Sequence, residues 1–281
     1  MQFLFNDFKH TSEEKGLNQM VIVLEGFLWV FRFFVGACFF SFLNVVIYRL
    51  PFKESIVHGR SRCPDCGRTL TAKELIPCIS FLIQKGKCLG CGVDISRRYL
   101  FVECLGGAAF VFCGAFFGCG MWGLISLKGF VAFAYLGILT AVAWIDWDTR
   151  VICDRFHIFI LLLGIISIPV FPELLLMDRF VGMVIIALPM FWIAMLVDGA
   201  FGGGDIKLMA SSGFLLGWHA MIPAFFFALL AGGIYCAFML VKEKLGRKDH
   251  FAFGPFLAIG LAISFFYGET IFGWYLDICG L

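Results

Sequence analysis

Charged residues are scarce in this chain. They make up 15% of its 281 residues, while apolar residues make up 61%. Soluble domains usually have about a quarter of their residues charged, so the composition excludes an ordinary soluble protein. Crossing a bilayer takes roughly 20 apolar residues per helix, and such runs recur along the chain. We therefore predict an all-α polytopic membrane protein.

The apolar runs number about eight. The sixth run is short, so it could be tilted, broken or only partly spanning. We expect about eight transmembrane helices, with one long polar loop between the first and the second. The runs cover residues 20–48, 99–118, 121–145, 156–172, 180–200, 206–217, 220–241 and 251–275.

The N-terminus lacks the features of a cleavable signal peptide. Residues 1–19 have no basic flank followed by a short apolar core and a small-residue cleavage site. We expect them to form a tail that precedes helix one. Helix one, at residues 20–48, would then be retained in the chain.

Basic residues are concentrated in loop 49–98. This loop has ten Lys or Arg residues against four acids, and residues 242–250 are basic as well. Because loops rich in Lys and Arg stay in the cytoplasm, we predict that loop 49–98 is cytoplasmic and that tail 1–19 lies outside. Eight crossings then place residues 146–155 and 201–206 on the cytoplasmic side.

Cysteine is common, but its arrangement indicates a metal site rather than disulfides. The chain has 12 cysteines, and four of them form the pairs CPDC and CLGC inside the polar loop. Two intervening residues let both thiolates of a pair reach one ion, and two such pairs complete a tetrahedral site. Iron or redox chemistry is the alternative, and Cys78 lies between the pairs as a possible competing ligand. The predicted ligands of a structural zinc are Cys63, Cys66, Cys88 and Cys91.

Glycines follow both cysteine pairs, at Gly67 and Gly92. The backbone must turn back sharply there, and glycine permits this turn. A site closed by four thiolates has no open position for catalysis. Its expected role is to fold a cytoplasmic module, residues 49–98, that is too small for a core of its own.

Aspartates occur where two apolar runs end. The third run ends with Asp146, Asp148 and Asp154, and the fifth ends with Asp198 and Asp205. Charge at the edge of the hydrocarbon is costly and by default indicates a functional site. Two carboxylates in one site can divide the work, because one holds a proton while the other activates a water. The pattern favours aspartic proteolysis.

Other interpretations of these residues stay open. Glycines 202–204 would leave room for a substrate strand, yet they also suit a helix that Asp205 simply caps. Asp148 and Asp154 could be solvated loop acids paired with Arg150 and Arg155. A membrane transporter with a structural zinc loop is the rival function, because intramembrane acids and Gly-broken helices also line transport sites.

Five motifs, taken in order, resemble those of the bacterial type IV prepilin peptidases. GACFFSFLNVVIYRLP at 36–51 is similar to the helix-one signature of that family, and GRSRCPDCG and GKCLGCG resemble the halves of its zinc module. AWIDWDTRVICD resembles its I-D-x-D-x-x-x-x-P-D segment, and GGGDIKLMA its G-x-G-D-x-K-L segment. FGPFLAIG at 253–260 resembles a late motif that opens the last helix. The resemblance spans about residues 25–262.

By this resemblance, Asp146 and Asp205 are the catalytic pair of a membrane aspartyl peptidase. The chain departs from the family pattern at three places. Cys153 stands where the family usually has proline, which weakens the expectation of a rigid turn. Cys38 and Phe40 replace commoner small residues in helix one.

The resemblance also implies a reaction in two steps. Enzymes of this family remove the leader from prepilins and pseudopilins at the cytoplasmic membrane face, then methylate the new amino terminus with S-adenosylmethionine. The chain has no Gly-rich fingerprint of the usual fold for that cofactor, so Asn44 and Arg49 are only candidate cofactor residues. Asn44 could instead make an interhelical hydrogen bond, and Arg49 could be an interfacial anchor. A peptidase that does not methylate is the nearest alternative.

These expectations divide the chain into four parts. They are an outside tail at 1–19, helix one at 20–48, the four-cysteine module at 49–98 and a membrane peptidase domain at 99–281. The expected location is the inner membrane of a bacterium, and the expected partners are the lipid bilayer and prepilin-like proteins. We expect no nucleic-acid partner.

Overall fold

The structure is a computed structural model whose described residues are mostly helical. It describes residues 2–118, 125–197, 199–242 and 251–280, with side chains from residue 19 onward. Asp198 and most of the basic loop 242–250 lie outside the described residues. Within the described part there is no extended strand, only two isolated bridges. The α-helices are α1 (Gln2–Arg49), α2 (Ile79–Ile83), α3 (Arg97–Phe117), α4 (Leu127–Thr149), α5 (Asp154–Ser167), α6 (Leu176–Ile185), α7 (Ala187–Leu196), α8 (Gly203–Leu216), α9 (Trp218–Val241) and α10 (Gly254–Cys279).

Six stretches of the described chain are long and apolar enough to cross a membrane. Helices α5 and α8 have 14 residues each. At 1.5 Å per residue they are about 21 Å long, which is short of the roughly 30 Å of a hydrocarbon core. The all-α membrane fold is confirmed, but the expected count of eight transmembrane helices is not. The six are Gln19–Arg49, Arg97–Phe117, Leu127–Thr149, Leu176–Leu196, Trp218–Val241 and Gly254–Cys279.

Two features of the helices follow from single residues. The fifth apolar run divides into α6 and α7 at Ile186, because Pro189 has no N–H to bond the carbonyl one turn earlier. Helix α8 is short, as expected for the sixth run. It ends at Gly217, whose φ of 78° lets α9 begin at the next residue.

Contacts within the chain define two compact units. The first contains residues 1–42 and 60–129, and the second contains residues 43–59 and 130–281. The boundaries predicted from the sequence for the four-cysteine module and the peptidase domain stay predictions.

In the first unit, α1 and α3 approach closely at glycines. A Cβ on Gly36 would lie 2.4 Å from the Gly106 carbonyl oxygen. A Cβ on Gly106 would lie 2.2 Å from the ring of Phe40. Small residues allow such backbone approach between membrane helices. The departure at Phe40 is therefore accommodated, because the ring is buried over a glycine.

In the second unit, a core of apolar side chains joins α4, α5, α8, α9 and α10. Glycines again set the closest approaches. A Cβ on Gly213 of α8 would lie 2.1 Å from the carbonyl oxygen of Gly182 in α6. A Cβ on Gly260 of α10 would lie 2.2 Å from the carbonyl oxygen of Ala224 in α9.

Arg179 of α6 is fully buried at the ends of the two short helices. Its guanidinium donates to the Ser167 hydroxyl at 2.7 Å and to the Ser167 carbonyl at 3.3 Å, where α5 ends. It also donates to the Phe214 carbonyl at 3.2 Å, in the last turn of α8. The last carbonyls of a helix have no partner within the helix, and a bilayer core offers them no water. One arginine thus satisfies the C-terminal ends of both α5 and α8.

Replacing Arg179 by Met should destabilise the protein. Arg179→Met keeps the volume but leaves several buried acceptors unpaired, so we expect a loss of about 3 kcal/mol. Thermal unfolding of the purified protein in detergent measures the change. The unfolding midpoint of Arg179→Lys should lie between those of the unchanged protein and Arg179→Met. An unchanged unfolding midpoint would show that the cost of burying the guanidinium cancels its hydrogen bonds.

Candidate active site and metal centre

Asp146 lies near the C-terminal end of α4 and is 5% exposed. Its Oδ2 accepts a hydrogen bond of 2.8 Å from the backbone N–H of Gly254. Gly254 is the first residue of α10, so the carboxylate sits at the N-terminus of that helix, where the macrodipole favours a negative charge. A side chain at Gly254 would crowd this contact, because a Cβ there would lie 2.7 Å from Asp146 Oδ2.

Asp205 lies in the first turn of α8 and is 9% exposed. Its Oδ2 accepts a hydrogen bond of 3.2 Å from the N–H of Gly202. Gly202 is the N-cap of the helix and Asp205 the third residue after it, so this is the return bond of a capping box. Asp205 therefore does cap α8, as one interpretation of the sequence allowed, but from the third helical position and not from the N-cap position.

The two carboxylates come together although they are 59 positions apart in the sequence. They are close enough for their charges to interact. Aromatic contact joins the two helix starts, since the rings of Phe201 and Phe253 lie 6.0 Å apart. Gly204 lets the start of α8 press against the loop after α4, because a Cβ there would lie 2.9 Å from Ile152 Cβ.

Asp154 follows the loop after α4, and its surroundings differ from those of Asp146 and Asp205. Asp154, the first residue of α5, forms an exposed ion pair of 2.7 Å with Lys207 of α8. The open alternative paired Asp154 with a neighbouring arginine, whereas the structure pairs it with a lysine on another helix. Cys153, which stands in place of a proline, has φ −71°. That angle is close to the one that proline imposes, so the backbone at Cys153 has the φ that a proline would require.

The four predicted metal ligands form one cluster. The sulfur atoms of Cys63, Cys66, Cys88 and Cys91 all lie within 4.8 Å of one another. Among the described side chains, this is the one group of three or more Cys, His, Asp or Glu that could hold a metal. Four thiolates at tetrahedral spacing suit zinc or iron.

The two halves of the cluster have the same backbone geometry. In the first, Gly67 N–H donates to the Cys63 carbonyl at 3.0 Å, and in the second Gly92 N–H donates to the Cys88 carbonyl at 2.9 Å. Gly67 and Gly92 have φ of 69° and 74°, angles that other residues rarely adopt. The expectation that these glycines allow the sharp turns is confirmed.

Backbone and side-chain donors make the cluster suited to thiolates. Hydrogen bonds from the backbone N–H groups of Cys91 and Gly90 lower the pKa of Cys88 to about 6. The Arg68 guanidinium also interacts with Cys88 and is held by an ion pair with Glu74. A thiolate favoured in this way binds a metal without competing strongly with a proton.

Three other candidates lie elsewhere. Cys78 is not in the cluster, and its sulfur is 3.6 Å from that of Cys104. Arg49 donates to the carbonyls of Ser55 and His58 at 2.9 and 3.2 Å, so it organises the start of the polar loop. Asn44, the other candidate cofactor residue, is buried.

Comparison with known proteins agrees with this arrangement. The family model described as the Bacterial Peptidase A24 N-terminal domain matches residues 34–117, and that of the Type IV leader peptidase family matches residues 133–237. A prepilin leader peptidase/N-methyltransferase of Bacillus subtilis (strain 168) is 36% identical over 255 residues, covering 89% of this chain and 97% of the relative. The chain belongs to the type IV leader peptidase family.

Relatives with the same name occur in other bacteria. The one from Dichelobacter nodosus is 34% identical over 280 residues, covering 87% of this chain and 92% of the relative. The one from Aeromonas salmonicida (strain A449) is 29% identical over 280 residues, covering 89% of this chain and 93% of the relative. No solved structure matches the chain significantly.

The sequence does not indicate which residues hold the acids of this member of the leader peptidase family. The motif at 253–260 contains Gly254, but its letters do not indicate that the Gly254 N–H binds Asp146. The ion pair of Lys207 with Asp154 was also missed, although both residues lie in recognised motifs. In each case the partner lies on another helix, and local spacing has no signal for it.

Replacing Gly254 by Ala tests the contact with Asp146. Gly254→Ala should lower the free energy of unfolding by about 1–3 kcal/mol, because the new Cβ overlaps the carboxylate. Gly273→Ala in the same helix is the matched control, since a Cβ there meets nothing within 4 Å. That control should stabilise the protein by up to about 1 kcal/mol. Equal unfolding midpoints for both variants in detergent would contradict the contact.

Removing two ligands tests the metal centre. The double variant Cys63→Ser, Cys88→Ser should lose the bound metal ion, because only two thiolates remain. Elemental analysis of the purified protein measures the metal content per chain. Cys236→Ser, a change in α9 outside the cluster, should leave the content unchanged. Full metal content in the double variant would contradict the ligand assignment.

Proposed function

We propose that this chain cleaves the leader from type IV prepilins and related proteins by aspartic proteolysis, and that Asp146 and Asp205 are the catalytic pair. The observation that carries the proposal is the meeting of these two buried carboxylates, each bound by a backbone N–H at a helix start. The names of the relatives support the substrate class.

The geometry suits a shared-proton mechanism. The Gly254 N–H holds Oδ2 of Asp146 and the Gly202 N–H holds Oδ2 of Asp205, so Oδ1 of each carboxylate is available to bind water or peptide. Like-charge repulsion between the acids favours one proton on the pair. The ionised acid accepts a proton as water attacks the peptide carbonyl, and the protonated acid donates its proton to the carbonyl oxygen. The C–N bond then breaks as a proton passes to the leaving nitrogen.

The zinc and the membrane orientation belong to the same proposal. The four sulfurs fit a tetrahedral ion, and a closed site of this kind would fold the module at 49–98 without taking part in catalysis. We place this module and both aspartates at the cytoplasmic face of the inner membrane, and the tail at 1–19 outside. The basic residues of loop 49–98 support this orientation. The peptidase domain would comprise residues 99–281.

Methylation of the new amino terminus is proposed from the names of the relatives. S-adenosylmethionine would be the methyl donor. Its candidate residues fit the role poorly, because the Arg49 guanidinium is engaged by the carbonyls of Ser55 and His58. Asn44 is buried, with only 6% of its surface exposed. We therefore derive no methyl-transfer step.

Cleavage of a prepilin by the purified protein in detergent, followed by mass spectrometry, tests the proposal. Asp146→Asn and Asp205→Asn should each lower the rate of leader removal by about 10²–10⁴-fold, because each removes one acid–base group. Asp148→Asn is the matched control from the same segment and should retain most of the rate.

Different outcomes separate the parts of the proposal. Normal cleavage by either Asn variant would contradict the assigned pair, and equal loss in Asp148→Asn would contradict the choice of Asp146 over its neighbour. Product that gains one methyl group with S-adenosylmethionine supports the second activity. Product that is cut but never methylated would reduce the function to that of a peptidase.

A further inference from the structure

The four-cysteine region exposes a set of apolar side chains away from the metal ligands. They lie on residues 75–83, which we name the apolar loop and which includes the short helix α2. Leu82 and Ile83 are the most exposed, at 66% and 75%. The peptidase proposal gives this surface no role. Its exposed apolar members are Leu75, Ile76, Ile79, Leu82 and Ile83.

Hydrogen bonds fix the position of this loop along the two helices of the first unit. The Cys78 N–H donates to Glu103 Oε2 of α3 at 2.8 Å. The Ser41 hydroxyl of α1 donates to Glu103 Oε1 at 2.7 Å. The same carboxylate thus ties the loop to both helices.

The position lies well inside the ends of those helices. Glu103 is six residues past Arg97, where α3 begins, so it lies about 9 Å along that helix. Ser41 is eight residues before Arg49, where α1 ends, so it lies about 12 Å from that end. Both stretches are candidate membrane spans. The apolar loop therefore lies beside the apolar parts of α1 and α3, not beyond their ends.

The distance of about 9 Å from the start of α3 is comparable to the depth of known interfacial segments, whose apolar faces are buried about 5–10 Å into the headgroup and acyl boundary. The backbone of the loop also turns sharply at Cys78, which has φ 61° and whose N–H binds Glu103. The chain can thus reach inward and return.

The charges at the rim of the loop complement a lipid headgroup layer. Lys73 precedes the loop, and Lys85 and Lys87 follow it, all three exposed. The acid between them, Glu74, is already bound by Arg68. Exposed lysines beside a bilayer attract anionic lipids.

We propose that the apolar loop is an interfacial membrane anchor, which inserts Ile79, Leu82 and Ile83 among the lipids of the leaflet that holds Arg97, where α3 begins. The four-cysteine region then rests on the bilayer instead of standing free in solution. The anchor rests on the membrane-spanning helices and is independent of the peptidase assignment.

Photocrosslinking of the full chain tests the anchor. A diazirine-bearing aliphatic amino acid replaces Leu82 in one protein. In another it replaces Leu89, which lies between the two cysteines of the second pair. The two leucines are matched, because they are 66% and 67% exposed. Each metal-loaded protein is put in nanodiscs that contain phosphatidylglycerol and is irradiated. Mass spectrometry of the labelled peptide then identifies the adduct.

We expect lipid adducts at position 82 at several times the yield found at position 89. Adducts at 82 only with water or with other parts of the chain would overturn the proposal. Equal lipid labelling at both positions would also overturn it, because contact would then not be specific to the loop. Only protein with the same metal content as the unlabelled chain is compared, so a misfolded region cannot imitate either result.

Discussion

Backbone N–H and C=O groups in the core of a bilayer have no water to bind, so each needs a partner within the protein. Helices α5 and α8 meet this constraint in an unusual way, because both stop after 14 residues. Arg179 supplies donors to the end of each helix. With their far ends satisfied, these helices can be short, and their starts can carry Asp154 and Asp205.

The same constraint acts at the helix starts, where N–H groups need acceptors. Asp205 accepts from Gly202 at the start of α8, and Asp146 accepts from Gly254 at the start of α10. The positive end of each helix dipole offsets part of the cost of a buried carboxylate. Capping and acid–base chemistry are therefore compatible, since a cap occupies only one oxygen of each carboxylate.

In the first unit, the polar four-cysteine segment must be ordered without a large apolar core. Two turns of matching geometry present four sulfurs to one point, and a bound ion would contribute free energy that the small segment lacks. Glu103 adds a second tie, from the segment to α1 and α3. A bound ion would hold the segment together internally, and the Glu103 carboxylate holds it to α1 and α3.

Local patterns in the sequence determined much of this protein. Apolar run length predicted a helical membrane protein, although not the number of its spanning helices. The spacing of Cys63, Cys66, Cys88 and Cys91 predicted one cysteine cluster, and the motifs around Asp146 and Asp205 singled out two acids. Only the tertiary structure decided what holds these groups. Asp146 and Gly254 are 108 residues apart, and Arg179 reaches two helices that lie on either side of it in sequence. Periodicity and spacing report on neighbours within a turn or two, whereas these contacts depend on how helices pack, which is set by glycines and side-chain shape.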